Sequence, residues 1–398
     1  MEKKIAVVAL LVFLFNTQIV FGKAVSPMEN QLHVNLNGTF KIMVIADIQD
    51  SVNTNKHTLQ LMSAALESER PDLVILNGDN IFGMTPKLLF SKENTLKAID
   101  SLLAPIVERN IPFCVVMGNH DAEGSLSTHE QMEHYMSYPQ CLSEVGDVSV
   151  SVGNYHRVIH NRLGQPLFNL WFFDSGNLAP KEEGGGYAYV SDEQIQWYEE
   201  TSKALRKENK GYPLPSLLFQ HIPVPEIYEL LIEVPKGTQG AIRGNQGWSS
   251  KYFIANPELV FEGTFDEGPC PPDINNGQFE SWVQQEDIMA AVFGHDHRND
   301  FIGTYQGIDL VYTPAVGFYS YGGGDRHGVR IIELNETEPD TYTTRMVYYD
   351  DLIDEPIPLP LQYLGQLAFL TILGSIFSVL LLVVVGVNVH CRRKRKNK

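Results

Sequence analysis

Cysteine is scarce in this chain, and basic side chains are outnumbered by acidic ones. Four cysteines in 398 residues are too few for the disulfide framework that holds small secreted domains together. Lysine and arginine number 30 against 48 aspartate and glutamate, which gives a formal net charge of −18. This excess of negative charge argues against a nucleic-acid backbone as the partner. Hydrophobic residues make up 43% of the chain, so an ordinary folded core is expected rather than disorder.

The four cysteines have different expected roles. Cys114 lies in an apolar run and is expected to be a reduced core residue. Cys391 lies beside a cluster of basic residues near the end of the sequence. Cys141 and Cys270 would pair in an oxidising compartment or remain separate thiols, and the sequence leaves both alternatives open.

Acidic and basic side chains are missing from two apolar stretches. In residues 1–22, Lys3 and Lys4 precede the apolar run 5–15, which is the layout of a secretory signal peptide. An uncleaved anchor is the alternative. Residues 367–389 carry no formal charge and would reach roughly 34 Å as a helix, enough to cross a bilayer.

The positive charge that follows this second stretch predicts its orientation. Six of the last seven residues, 392–398, are lysine or arginine, and such clusters stay on the cytoplasmic side. We therefore expect a single-pass type I membrane protein of the endoplasmic reticulum, secretory pathway or cell surface, with its large domain lumenal or extracellular. Glycosylation sequons at Asn37 and Asn335 fit that route. The predicted organisation is a signal peptide (1–22), an N-terminal lead-in (23–39), a folded domain (40–349), a juxtamembrane stalk (350–363), a transmembrane helix (364–390) and a basic cytoplasmic tail (391–398).

Apolar runs alternate with amphipathic stretches through the first part of the folded domain. The runs 40–46, 73–76 and 111–117 read as buried strands, and 58–69 and 93–108 have helical spacing. Strands alternating with helices predict an α/β domain with a parallel or mixed sheet.

The pattern is looser further along the chain. Further strands are predicted at 167–173, 217–219 and 288–293, and Ser191 is a plausible cap for a helix. Residues 234–276 are rich in glycine and proline and read as a long loop over the site.

Five short polar motifs each follow one of these apolar runs. Because the carboxyl ends of strands meet at one edge of such a sheet, we expect the motifs to form one site. Their carboxylate, amide and imidazole groups suit two divalent or trivalent metal ions such as Mn, Fe or Zn, which together can clamp a phosphoryl group. The motifs are Asp47-Ile48-Gln49, Gly78-Asp79-Asn80, Gly118-Asn119-His120-Asp121, Gln220-His221-Ile222-Pro223 and Gly294-His295-Asp296-His297.

In this order the motifs resemble those of the calcineurin-like metallophosphoesterases, and within them the small purple acid phosphatase-like proteins of plants and fungi. The resemblance spans about residues 40–334 and makes 40–349 a phosphoesterase domain. It implies a four-layer α/β/β/α sandwich with both metals at one edge of the sheets.

The resemblance also implies a role for each motif residue. The ligands of the first metal would be Asp47, Gln49, Asp79 and His297, and those of the second Asp79, Asn119, His221 and His295. Asp79 would bridge the ions, and a hydroxide held between them would attack phosphorus. His120 and Asp121 would be the catalytic pair, with His120 near the leaving oxygen. Asp121 and Asp296 would orient imidazoles by hydrogen bonds, or else stabilise turns.

Two residues depart from the family pattern. Gln49 stands where most members have histidine, and its oxygen would favour Mn or Mg-like ions over Zn. Phe82 stands where true purple phosphatases carry a tyrosinate ligand, so no charge-transfer colour is expected. Two histidines outside the motifs, His129 and His327, are candidates for the wall of the pocket.

These observations support a membrane-anchored dinuclear-metal phosphoesterase. Phosphomonoester hydrolysis is the first expectation, on a small phosphorylated substrate or a phosphoprotein. A nucleotide-diphosphate or phosphodiester substrate is the alternative that Gln49 suggests. A catalytically silent metal-binding ectodomain is the alternative from another class.

Overall fold

The computed structural model describes residues 31–183, 185–322 and 324–356. The predicted signal peptide, transmembrane helix and basic tail lie outside these residues, as do residues 23–30 of the lead-in and 357–363 of the stalk. In the part of the chain that is described, no helix is long and apolar enough to cross a membrane.

Strands and helices alternate from Leu32 to Leu352. Within the described residues the strands are β1 (Leu32–His33), β2 (Thr39–Ile45), β3 (Leu73–Asn77), β4 (Phe113–Val116), β5 (Tyr155–His160), β6 (Pro166–Phe173), β7 (Ser216–Gln220), β8 (Leu231–Val234), β9 (Ile242–Arg243), β10 (Tyr252–Ala255), β11 (Val260–Glu262), β12 (Ile288–Phe293), β13 (Ile302–Tyr305), β14 (Ile308–Tyr312), β15 (Gly328–Asn335) and β16 (Tyr342–Tyr348). The α-helices in the same residues are α1 (Lys56–Glu69), α2 (Pro86–Leu89), α3 (Lys92–Val107), α4 (Thr128–Met136), α5 (Asp192–Glu208), α6 (Gln278–Gln285) and α7 (Tyr349–Leu352).

Two large sheets together carry all five motifs. The five-stranded sheet has the order β16-β15-β2-β3-β4, with β2, β3 and β4 parallel. Helices α1 and α3 make the crossovers between these parallel strands, as the alternating pattern predicted. The eight-stranded sheet has the order β1-β5-β6-β7-β12-β14-β13-β11, with β6, β7, β12 and β14 parallel.

Alternation along β2 shows how the layers are stacked. Met43 and Ile45 lie in a hydrophobic core with α1 and α3, whereas Ile42 and Val44 lie in a second core with side chains of β6, β7 and β12. A third core joins the other face of β7 and β12 to α5 and α6. The two sheets therefore pack on each other and each is covered by helices on its outer face. The mixed α/β class predicted from the sequence is confirmed.

Helix α5 shows why these residues begin a helix where they do. The Ser191 side chain accepts a hydrogen bond from Gln194 N–H, and the Gln194 side chain accepts one from Ser191 N–H. This reciprocal pair satisfies two backbone donors that no helical carbonyl reaches. The helix then buries Tyr198 and Leu205 against the eight-stranded sheet.

The prediction of one long loop over residues 234–276 is wrong. The segment contributes β9 and β10, which form a three-stranded antiparallel sheet with β8, and β11, which extends the eight-stranded sheet. These strands are two to four residues long and lie between glycine-rich turns, so their sequence carries no clear alternation.

Cys141 and Cys270 are separate thiols. Cys141 pairs through its backbone with Phe113, at the amino end of β4. Cys270 donates its N–H to Asp296, in the motif that follows the carboxyl end of β12. The two residues therefore belong to opposite ends of the strands, and of the two alternatives the separate thiols hold.

The two histidines proposed for the pocket wall have very different surroundings. His129 is half-exposed on α4, 3.6 Å from Glu133. His327 is fully buried, with Nδ1 3.1 Å from Ala315 O and its ring stacked on Phe318. Burial lowers the pKa of His327 to about 4, against the weaker opposing effect of the Ala315 carbonyl.

His327 predicts part of the acid sensitivity of the fold. Because the unfolded imidazole keeps a pKa near 6.5, the unfolded chain takes up this proton first as the pH falls. The stability that neutral His327 contributes is therefore complete above pH 6.5 and is lost as the pH falls towards 4. We expect the wild type to lose about 2 kcal/mol more than His327→Asn between pH 8 and pH 5, measured by denaturant unfolding. Parallel pH curves for the two proteins would contradict this.

Candidate metal centre

Five strand ends deliver the predicted ligands to one place. The turn after β2 carries the first motif, the turns after β3 and β4 the second and third, and those after β7 and β12 the last two. The predicted ligands are all at least 93% buried, and they are Asp47, Gln49, Asp79, Asn119, His221, His295 and His297.

Two groups of these side chains have the spacing of a metal site. One is Asp79, His221 and His295, and the other is Asp47, Asp79 and His297, with ligand atoms within 4.8 Å of one another in each. Asp79 belongs to both groups. The structure thus brings together two candidate sites that share one carboxylate.

The two carboxylates face imidazole nitrogens at short range. Asp79 Oδ2 lies 3.2 Å from His221 Nε2, and Asp47 Oδ1 lies 3.2 Å from His297 Nε2. Asp47 Oδ1 also lies 3.8 Å from His221 Nε2. Anionic oxygens and imidazole nitrogens converge here as they do around a bound cation.

Hydrogen bonding tests whether these residues fit a metal. Buried polar atoms normally have a partner, and each exception calls for a reason. Among the described residues, five of the predicted ligands have a buried side-chain atom that makes no hydrogen bond of good geometry, although two of these atoms lie 3.2 Å from an oppositely charged group. These atoms are Asp47 Oδ1, Gln49 Oε1, Asn119 Oδ1, His221 Nε2 and His295 Nε2. The donor set therefore fits metal ions, which would satisfy such atoms.

The remaining polar atoms of the imidazoles and carboxylates are used to orient the side chains. His221 Nδ1 lies 3.0 Å from Asn77 O, and His297 Nδ1 lies 2.7 Å from Tyr321 O. Asp79 Oδ1 accepts the N–H of His120, and Asp47 Oδ2 accepts the N–H of His295. Such bonds leave one atom of each group directed at the centre.

Four of the ligands lie on strained backbone. Asp47, Gln49, Asp79 and His295 have φ values of 53°, 41°, 50° and 72°. This left-handed region costs non-glycine residues of order 1–3 kcal/mol each and is found where the surroundings enforce it, often at functional sites. The strain turns these side chains inward directly after their strands.

The charges of the buried groups are strongly interdependent. Burial alone would raise the pKa of Asp79, but the imidazoles of His221 and His120 outweigh it and hold that pKa well below its usual range. Burial lowers the pKa of His221 and His297, yet Asp79 and Asp47 raise them to about 10 and about 9. For His295 burial prevails, helped by the neighbouring His221 charge, and its pKa falls well below the ordinary value.

His120 lies at the rim of the centre. Its Nε2 is 4.0 Å from Asp79 Oδ2, and its Nδ1 is 2.6 Å from Glu123 Oε2. The Phe82 ring meets the imidazole edge-on at 4.8 Å between ring centroids. Phe82 therefore packs against His120 and offers no ligand atom.

Two alternatives were open for Asp121 and Asp296, and their hydrogen-bond partners are backbone N–H groups and a tyrosine hydroxyl rather than imidazoles. Both oxygens of Asp121 are occupied, because they accept the backbone N–H groups of Gly118, Asn80 and Ile81. Of the two alternatives for Asp121, these contacts match the turn-stabilising carboxylate, and its catalytic role stays a prediction. Asp296 accepts the hydroxyl of Tyr312 and the N–H of Cys270.

Sequence reasoning did not identify four residues that lie near the centre. Tyr187 meets His295 edge-on, Tyr321 stacks on His297 at 4.1 Å, and Cys270 lies with His295 and Asp296 in a third group of metal-ligand spacing. Only tertiary folding brings these three side chains to the motifs, so their local sequence contains no sign of a place in the site. Glu123 is different, because it follows His120 by only three residues, and that spacing is a signal in the local sequence.

Comparisons with known proteins agree with the motifs. The profile of the family described as calcineurin-like phosphoesterase matches residues 40–299. A protein of Arabidopsis thaliana named probable inactive purple acid phosphatase 14 is 30% identical over 339 residues, covering 76% of this chain and 77% of that protein. Phosphatase DCR2 of Saccharomyces cerevisiae is 28% identical over 340 residues, covering 77% of this chain and 53% of its own length. Serine/threonine-protein phosphatase CPPED1 of Homo sapiens is 25% identical over 269 residues, with coverages of 66% and 64%.

The matched family uses a centre of two metal ions, and the described residues supply two groups that share a carboxylate. The matched residues make up more than half of the chain and include all five motifs. This chain belongs to the calcineurin-like phosphoesterase family.

Proposed function

We propose that this protein hydrolyses phosphate monoesters at a centre of two metal ions. The observation that carries the proposal is the pair of ligand groups sharing Asp79, in which several buried ligand atoms make no hydrogen bond of good geometry among the described residues. Asp47, Gln49, Asp79 and His297 would hold one ion, and Asn119, His221 and His295 would hold the other together with Asp79. When bound, the ions would polarise the phosphoryl group and lower the pKa of a water.

The protein's own groups have separable tasks in this reaction. Asp79 stays ionised because the surrounding imidazoles offset the cost of its burial. Asp121 holds the turn that presents Asn119 and His120. His120 directs Nε2 to the same side as Asp79 Oδ2, where it can donate a proton to the leaving oxygen. Tyr187 packs edge-on against His295, and Tyr321 stacks on the ring of His297. Both tyrosines keep water from these imidazoles.

Two other functions have support of their own. Gln49 places a neutral amide oxygen where most of the family has an imidazole, which supports a Mn-dependent diphosphatase or phosphodiesterase. The name of the Arabidopsis relative contains the word inactive, which supports a silent metal-binding ectodomain. The retained His120 argues against silence, because a binding scaffold needs no proton donor for a leaving group.

We also propose that the centre faces the lumen or the exterior, anchored by the apolar residues 367–389. The uncharged stretch, the basic residues after it and the exposed sequon at Asn37 support this. Treatment of the expressed chain with a glycosidase should increase its gel mobility, and the domain should resist protease in intact vesicles. An unglycosylated domain accessible to protease from the cytosolic side would contradict the proposal.

The shared carboxylate gives the sharpest test of the enzymatic proposal. The full chain is stripped of metal, reloaded with Mn, Zn, Fe or Mg, and assayed on p-nitrophenyl phosphate, bis-p-nitrophenyl phosphate and ADP-ribose. We expect metal-dependent turnover that favours the monoester. Asp79→Asn should lower it at least about 100-fold and bind fewer than two ions, because both groups lose their common anion.

Asp174 provides a matched control for this variant. It also follows a strand, β6, but its oxygens accept Ser151 Oγ–H and Gly176 N–H. Asp174→Asn should keep both ions and full turnover. Two ions bound per chain without turnover on any substrate would favour the silent ectodomain, and a preference for ADP-ribose or the diester would favour the other alternative.

Gln49 predicts the metal preference of the first site. Replacing its amide oxygen by imidazole in Gln49→His should shift the Zn-to-Mn affinity ratio of one site towards Zn by about 10-fold, measured by calorimetric competition. Gln246→His is the matched control, since Gln246 also has a left-handed backbone, with φ 47°. An unchanged ratio in Gln49→His would remove Gln49 from the ligand set.

A further inference from the structure

Glu123 makes the closest polar contact of His120. The distance from Glu123 Oε2 to His120 Nδ1 is 2.6 Å. Both side chains are largely buried, with 19% of Glu123 and 26% of His120 exposed. A short bond in this setting is worth more than the same bond at the surface, because little water competes for it.

The local backbone explains why these two residues meet. His120 precedes a 3₁₀ turn over Asp121–Glu123, and Glu123 N–H donates to His120 O at 3.4 Å. Side chains three residues apart eclipse each other in such a turn, so the Glu123 carboxylate stands over the imidazole. Asp121 fixes the start of the turn through its bonds to Gly118 and Ile81.

The contact determines which ring nitrogen faces the centre. With Nδ1 bonded to Glu123, Nε2 is the nitrogen on the side of Asp79 Oδ2, 4.0 Å away. Phe82 closes one edge of the ring, and it carries no group that could replace Glu123 as a hydrogen-bond acceptor. A freed imidazole would turn about its χ angles and lose this direction.

We propose that Glu123 is a positioning residue that holds His120 with Nε2 towards the leaving oxygen. The proposal rests on the proposed phosphomonoesterase function and deepens it. In the step concerned, a bond forms between phosphorus and the oxygen of the attacking water, and the bond from phosphorus to the leaving oxygen breaks. The Nε2 proton passes to the leaving oxygen, the attacking water loses a proton to solvent, and His120 is reprotonated from solvent. Glu123 keeps the Nδ1 hydrogen bond throughout.

This arrangement selects a class of substrate. An activated aryl oxygen leaves as a stable anion and gains little from a proton, whereas an alkoxide leaves only with protonation. The oriented imidazole therefore suits alkyl phosphate monoesters, such as phosphoserine or glycerol phosphate, more than activated esters or anhydrides.

The test measures how turnover depends on the leaving group. The full chain loaded with metal is assayed on 2,4-dinitrophenyl phosphate, p-nitrophenyl phosphate, phenyl phosphate and glycerol phosphate, for the wild type, Glu123→Ala and Glu123→Gln. In Glu123→Ala we expect kcat to fall about 10-fold or more on phenyl and glycerol phosphate but to stay within about twofold on the dinitrophenyl ester. Glu123→Gln should stay near the wild type, since its amide oxygen still accepts the Nδ1 proton.

The chain contains a matched control pair at its surface. His134 Nε2 lies 2.6 Å from Asp100 Oδ1, away from the metal centre. Asp100→Asn should leave the leaving-group dependence unchanged. Metal content, measured by mass spectrometry, should be equal in all variants.

Three results would overturn the proposal. They are an equal fall on all four esters in Glu123→Ala, no fall on any of them, and a Glu123→Gln variant as impaired as Glu123→Ala. A wild type without turnover would refute the proposed function instead, and a second measurement then decides the inference. In protein with ¹⁵N-labelled histidine, the hydrogen-bonded ring N–H resonance of His120, assigned with His120→Asn, should be lost in Glu123→Ala and kept in Glu123→Gln. Its persistence in Glu123→Ala would overturn the positioning role.

Discussion

A buried carboxylate that stays charged is the constraint on which this centre depends. Asp79 is 1% exposed, and burial of a carboxylate without compensation would favour its protonated form. His221 and His120 supply the compensating positive field, and the N–H of His120 satisfies Oδ1. Oδ2 is then the oxygen directed at the other ligands. Both candidate metal groups contain Asp79. The parallel strands and their turns therefore serve the centre by holding this carboxylate in place.

Close approach between the turns makes further demands on the sequence. A Cβ at Gly118 would lie 2.3 Å from Asp79 Oδ1, and a Cβ at Gly294 would lie 2.6 Å from Asp47 Oδ2. Either would push a carboxylate out of its position. The glycines that begin these two motifs are therefore required by the carboxylates they adjoin, which is why the motifs are recognisable as glycine followed by polar residues.

Much of this centre was predictable because its ligands follow strands that are themselves easy to recognise. Residues 42–46, directly before Asp47, are all apolar, and the carboxyl ends of parallel strands are where such sites form. The strands of residues 234–276 escaped prediction because two- to four-residue strands have too few positions for a period. Tyr187 and Cys270 escaped it for another reason, since their place beside His295 depends on tertiary packing. Asp121 shows the remaining difficulty: its position near the motifs was predicted, but whether it accepts hydrogen bonds from an imidazole or from the backbone depends on how the turns fold.

An acidic protein that acts on phosphate esters must overcome its own charge, and the ligand set shows how it would do so. The net charge of −18 repels an anionic substrate over the distance at which surface charges act. Of the seven predicted ligands, Asp47 and Asp79 are carboxylates, and the rest are neutral amides or imidazoles when metal is bound. Two divalent ions held by two carboxylates would leave a net charge of about +2 in a low-dielectric site. Gln49 adds no negative charge to the centre, and an imidazole at the same position would add none either. The positive field of a metal-loaded centre would thus be local, and it would follow from how few of the ligands are acidic.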